Sequence, residues 1–276
     1  MPGGFAPAVP KRDLSEIASN TISLEAFGVS LVLAANSEAL IHAISRSLPW
    51  AVVAAVDQPA GSDFRLEHQV NADGAVYVGY ASEAPLFRVS DALSAVTRFE
   101  ATIRLTVAEH AKDRVFVHAG VVGWRGKAIL IPGRSFAGKS SLVAALLEQG
   151  ATYYSDEYAV CDADGFIHPF HRALRLRTSM SVKAEQADAK IGERPPLRAG
   201  LIVATRFGKR PARMLRTLTV GQGVLELLDN TVSARRDPET AFTFLARAVA
   251  GAAMVKGVRG EASNFAATLL SRYVDW

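Results

Sequence analysis

Eight residues, Gly133-Arg134-Ser135-Phe136-Ala137-Gly138-Lys139-Ser140, constrain this chain more than any other segment. They spell GxxxxGKS, the pattern of a Walker A phosphate-binding loop (P-loop), in which two glycines let main-chain N–H groups close around a polyphosphate with no side chain in the way. The pattern carries weight only inside a frame of an apolar strand before it and a helix after it. Both are present. Residues 127–131 form an apolar run, and Ser140 to Gln149 places Leu142, Val143, Leu146 and Leu147 on one side, with Gly150 where a helix ends. The order strand, loop, helix predicts an α/β fold. Within the loop, Lys139 is expected to reach the terminal phosphates as a point charge, Ser140 to ligate Mg²⁺ at the helix start, and Ser141 to support that start.

The next strand, 152–154, delivers Ser155-Asp156-Glu157 at its end. Phosphoryl transfer is mainly positioning and charge neutralisation, so it calls for one carboxylate near the metal and one to orient or deprotonate the acceptor hydroxyl. Asp156 and Glu157 can fill those roles. Adjacent residues of an unbroken strand face opposite sides, so both can reach one site only if the strand breaks there. Upstream, residues 115–122 form an apolar strand that contains His118, and a lone histidine in such a strand reads on its own as a satisfied core residue. A turn over 123–126 joins it to the strand before the loop.

Taken together, His118-Ala119-Gly120-Val121-Val122, the loop with Ser141, and Ser155-Asp156-Glu157 resemble the catalytic domain of bacterial HPr kinase/phosphorylase. His118 precedes Gly133 by fifteen residues and Asp156 follows Lys139 by seventeen, matching that family's spacings. The resemblance implies a P-loop strand within a mixed sheet related to phosphoenolpyruvate carboxykinase, and ATP- and Mg²⁺-dependent phosphorylation of a protein serine. It implies Asp156 as the acid/base, Glu157 at the position of a second, metal-linked aspartate, and His118 beside Asp156, tuning its charge or touching phosphate. Downstream, the stretch from His168-Pro169-Phe170-His171-Arg172 to Arg175-Leu176-Arg177 resembles a pattern of smaller HPr-kinase-related proteins. Arg172, then Arg175, is the expected γ-phosphate arginine, and His168 and His171 are left as surface residues. Glu157 replaces an aspartate and the family's longer signature loop is not found, so the reverse, phosphorolytic reaction is not expected. Phe27-Gly28-Val29 in an early strand is similar to the smaller kinases, so HPr itself is not the implied acceptor; the leading expectation is a serine kinase acting on a small protein or a peptide, and a homo-oligomer stays open.

The remaining segments suggest a smaller α+β region over residues 1–110 before a catalytic domain over 111–276. A strand is expected at 24–33 and a helix at 38–48. A hairpin spans 64–70 and 75–80 around the turn residues 71–74. A helix over 90–109 has its apolar face on Leu93, Val96, Phe99, Ile103, Leu105 and Val107. Helices are also expected at 238–255 and 261–273. Arg206, Lys209, Arg210, Arg213 and Arg216 make a basic run that reads as a solvated loop, with docking of an acidic peptide as the alternative.

A formal charge of +4 is small for 276 residues, and no zinc-ligand spacing or aromatic/basic signature accompanies it, so nucleic acid is not an expected partner. No run approaches a membrane span, Met1 to Pro10 lacks the marks of a leader, and the single cysteine, Cys161, excludes an internal disulfide. A cytoplasmic protein is expected. Two other functions stay open beside the serine kinase: a small-molecule kinase, and an ATP-sensing module in which Asp156 and Glu157 hold Mg²⁺ without turnover.

Overall fold

A computed structural model describes residues 20–55, 61–71, 74–134, 137–170, 194–212 and 214–276. The chain divides into two compact units, one formed by Met1–Glu25 with Ser30–Ile103 and the other by Ala26–Val29 with Arg104–Trp276. Both combine helices with a sheet, and the larger is an α/β arrangement around a mixed sheet.

The first unit carries six strands, β1 (Thr21–Ala26), β2 (Val29–Ala35), β3 (Val52–Ala55), β4 (Phe64–Asn71), β5 (Gly74–Ala81) and β6 (Ala84–Val89), in the order β3-β1-β2-β4-β5-β6. The strand expected at 24–33 is two strands, because Phe27 (φ 50) and Gly28 (φ 74) both sit in the left-handed region that a tight hairpin turn demands. The β4–β5 hairpin forms as the alternation predicts, with Phe64 opposite Ala81 and Asn71 opposite Gly74. Helix α1 (Glu38–Arg46) starts at Ser37, whose hydroxyl accepts from the Leu40 amide at 3.3 Å.

Helix α2 (Ala92–His110) follows its expected bounds but turns a different face inward. Ala95, Phe99, Ile103 and Val107 are buried, together with Glu100 and Arg104, whereas Leu93 is 79% and Leu105 50% exposed. Spacing explains the correction: a step of four keeps residues on one stripe, and Leu105 lies two steps of about 100° beyond Ile103.

In the larger unit the strands are β7 (Arg114–Trp124), β8 (Lys127–Pro132), β9 (Thr152–Ser155), β10 (Tyr158–Asp162), β11 (Phe166–His168), β12 (Leu197–Phe207), β13 (Arg216–Thr217) and β14 (Ala253–Arg259). Their order is β11-β10-β7-β8-β12-β14-β13, with β9 on β7, and β11 also pairs with β12. Strand β12 runs parallel to both β8 and β14. Such central parallel strands are covered on both faces, and the unbroken burial of residues 199–205 in β12 shows it. Helix α3 (Lys139–Glu148) supplies Leu142, Val143 and Leu146 to one buried cluster with Ile129, Ile131, Leu201 and Val203. On the opposite side a cluster gathers Leu130, Ile202 and Met254 with residues of α4 (Val220–Leu228) and α5 (Pro238–Ala248).

The helix expected at 238–255 stops at Ala248, and residues 253–259 form β14 instead. Gly251 (φ 78) ends the helical path, and Met254 and Val255 are buried beside β12. Helix α6 (Ala262–Tyr273) closes the chain as expected. Among the described residues no helix is long and apolar enough to cross a membrane. Cys161 is wholly buried in β10, and burial pushes its thiol up to about 12, with Asp162 adding to the effect.

Candidate active site

The loop begins where β8 ends. Strand β7 pairs with β10 through residues 114–118 and with β8 through 119–124, so His118 sits where its partners change. The His118 carbonyl accepts the Gly133 amide at 3.2 Å and fixes the start of the loop. At the other end Gly138 adopts φ 86, ψ 20 as the residue before α3, a left-handed conformation that costs glycine nothing. Ala137 donates back to the Arg134 carbonyl at 3.2 Å. Ser135 and Phe136 lie outside the described residues, Arg134 is exposed, and Ser141 faces out from the third position of α3.

Lys139 opens α3 and is only 7% exposed. Its ammonium turns onto the loop itself, donating to the Gly133 carbonyl at 2.7 Å and to the Arg134 carbonyl at 3.1 Å. Burial pushes its pKa down, while the charges of Glu157 and Asp156 act in the opposite direction. The lysine therefore feels both carboxylates.

The strand does break after Ser155. Its buried hydroxyl accepts the amides of Glu157 at 3.1 Å and Tyr158 at 3.0 Å, and this local bend separates β9 from β10 and presents the acidic pair. Asp156 is 8% exposed. One of its oxygens accepts from the Ser140 hydroxyl at 3.3 Å and the other from the Tyr153 hydroxyl at 3.0 Å. The loop serine and the carboxylate are thus within hydrogen-bond reach.

Glu157 has other company. Its Oε1 lies 3.4 Å from Arg104 Nη2 and 3.9 Å from His118 Nε2, while its main-chain carbonyl accepts from the Ala119 amide and faces His118 Nδ1 at 2.9 Å. Since a carbonyl can only accept, Nδ1 carries the proton and Nε2 is the nitrogen turned to the carboxylate. His118 therefore meets Glu157 in side chain and backbone, where the family resemblance set it beside Asp156. Its ring also lies 5.3 Å from that of Tyr158.

Arg172, Arg175 and His171 fall outside the described residues. His168 is not a bare surface residue: its Nε2 is 2.7 Å from Asp162 Oδ2. Burial raises the Asp162 carboxyl, but the hydrogen bond from His168 and those from nearby amides outweigh it and hold the group below its ordinary value.

Three residues of the site escaped the sequence reading, Arg104, Tyr153 and Arg259, and the sequence marks Ser155 only as the motif neighbour of the acidic pair, not as the residue that shapes the bend. Arg259, at the end of β14, is 3% exposed and donates to the Gly138 carbonyl and to the Gly260 carbonyl, each at 2.8 Å. Burial pushes its pKa down, with Glu261 acting in the opposite direction. The available signal was a cation and a glycine closing an apolar run, Met254-Val255-Lys256-Gly257-Val258-Arg259-Gly260.

No family model and no curated protein matches the chain. Among solved structures it is similar to the HPr(Ser) kinase/phosphatase from Coxiella burnetii, at 16% identity, over 56% of this chain and 93% of that one, with a TM-score of 0.30. A likeness this distant carries no argument about the site, which rests on its own geometry.

Proposed function

We propose that this chain is an ATP-dependent kinase that transfers the γ-phosphoryl group to a serine hydroxyl of a small protein or peptide. The observation that carries the reading is the hydrogen bond of 3.3 Å between Ser140 of the loop and Asp156 of the acidic bend. It joins the two halves of the chemistry, a phosphate cradle and a carboxylate, across sixteen residues of chain.

The donors also suit Mg²⁺, a hard cation that takes oxygen ligands and is held in P-loop enzymes by the loop hydroxyl and a carboxylate. Ser140 and Asp156 would hold it, with Glu157 next along the bend. Bound there, the ion would supply charge neutralisation on the β- and γ-phosphates. Lys139 exchanges its carbonyl partners for phosphate oxygens. Asp156 accepts the proton of the attacking hydroxyl as the new O–P bond forms and the bond to the leaving ADP breaks.

The test offers γ-labelled ATP and Mg²⁺ with a serine-peptide library and with small carrier proteins. Labelled phosphoserine is expected from the wild-type chain and none from Lys139→Ala or Asp156→Asn. Label that persists in both variants defeats the reading. Tight ATP binding with no transfer to any acceptor would favour the nucleotide-sensing module, and a labelled metabolite the small-molecule kinase.

A further inference from the structure

The two cations that meet the ends of the loop share an unusual situation. Lys139 and Arg259 are both buried, and each is held by main-chain carbonyls alone, with no carboxylate in ion-pair contact among the described residues. Withdrawing a cation from water is costly unless a counter-charge repays it, and carbonyl dipoles repay only part. Asp156 and Glu157 act on Lys139, and Glu261 on Arg259, only from beyond ion-pair distance; for Lys139 the anion that would come into contact is the phosphate tail that its loop is built to hold. The same argument applies to Arg259.

We propose that Arg259 is a phosphate-binding residue of the nucleotide site, a second fixed cation at the start of α3 that engages the polyphosphate of ATP together with Lys139. The inference rests on the reading of the loop as an ATP site and extends it to a residue on another strand.

Two features hold the guanidinium in place, and a third favours an anion beside it. Its Nη2 is bonded to the carbonyl of Gly138, the residue whose left-handed turn opens α3, and a β-carbon at Gly138 would collide with that nitrogen. Its own backbone is pinned by the Gly208 amide on the Arg259 carbonyl and by the Ala212 amide on the Val258 carbonyl, both at 2.9 Å. It also stands beside the amino end of a ten-residue helix, where the aligned peptides already favour an anion. An arginine spends only part of its planar fork on two carbonyls, and the remainder suits the oxygens of a phosphate chain better than a lysine would.

The experiment measures binding of ATP, ADP and AMP, each with Mg²⁺, to the full chain by titration calorimetry, comparing wild type with Arg259→Met and Lys139→Ala. Methionine keeps bulk at the position and removes the charge. Arg259→Met is expected to lower the preference for ATP over AMP by about tenfold or more, the scale of one charge-assisted hydrogen-bonded contact. A strut that merely shaped the fold would weaken all three nucleotides alike. An unchanged preference, or an equal loss for ATP, ADP and AMP, overturns the proposal. Should Arg259→Met fail to fold, Arg259→Lys is read in the same assay, where a preference lower by about threefold is expected and an unchanged one is decisive against it. If the wild type binds no nucleotide, the ATP reading itself falls and this inference with it. If Lys139→Ala loses ATP while Arg259→Met does not, only this inference falls.

Discussion

Asp156 and Glu157 are consecutive in the chain, yet the bend at Ser155 gives them different surroundings. Asp156 accepts from two hydroxyls, Ser140 and Tyr153, whereas Glu157 faces the guanidinium of Arg104 and the imidazole of His118. These hydroxyl bonds bring no charge of their own to Asp156, while the guanidinium brings one to Glu157, and Lys139 acts on both carboxylates. The hydroxyl side suits a group that must take up a proton or share a metal ion. The guanidinium side suits an anchor that ties α2 and β7 to the bend. Two carboxylates that look alike on paper therefore meet different neighbours, and under the proposed kinase reading they would do unlike work.

Four substitutions test that division, from the largest effect to the smallest. Asp156→Asn should lower phosphoryl transfer by about a thousandfold, within the range for losing a proton-transferring group, with ATP affinity nearly kept. Glu157→Gln should cost only about tenfold in transfer but also about 1–3 kcal/mol of stability, since Arg104 loses a charged partner. Single-turnover kinetics and urea unfolding on both proteins decide the matter: equal kinetic losses with equal stability would erase the distinction. Ser155→Ala removes the acceptor of two amides that shape the bend and should cost about 1–2 kcal/mol, seen in urea midpoint, with a matching fall in transfer. Tyr153→Phe deletes one hydrogen bond to Asp156 and should lower stability by about 1 kcal/mol or less, with transfer reduced only a few-fold.

How much of this was legible in the sequence depends on the distance over which the information lay. The frame of the loop is local, and β8, α3 and Gly150 can be read from residues a few positions apart, whereas the break after Ser155 is legible only as a condition for both carboxylates to reach one site. The β4–β5 hairpin and α1 are local for the same reason. The partners of the site are not. Arg259 meets Gly138 across 121 residues, and Arg104 meets Glu157 across 53. No periodicity carries such a contact. On α2 the polar residues Glu100 and Arg104 lie among the buried ones, so a face chosen by hydrophobicity alone favoured Leu93 and Leu105, which the fold leaves outside. Residues 238–255 misled for a related reason. Alanines and methionine suit a helix locally, and only pairing with β12 makes 253–259 a strand.

The sealed thiol of Cys161 has a practical corollary. A sulfhydryl wholly enclosed in β10, and kept in its un-ionised form by that burial, is a poor target for maleimides and iodoacetamides under native conditions. The chain has no other cysteine, so one introduced at an exposed position such as Arg134 or Ser141 could carry a fluorophore or spin label by itself. The wild-type interior could then be left untouched while a reporter watches the rim of the loop.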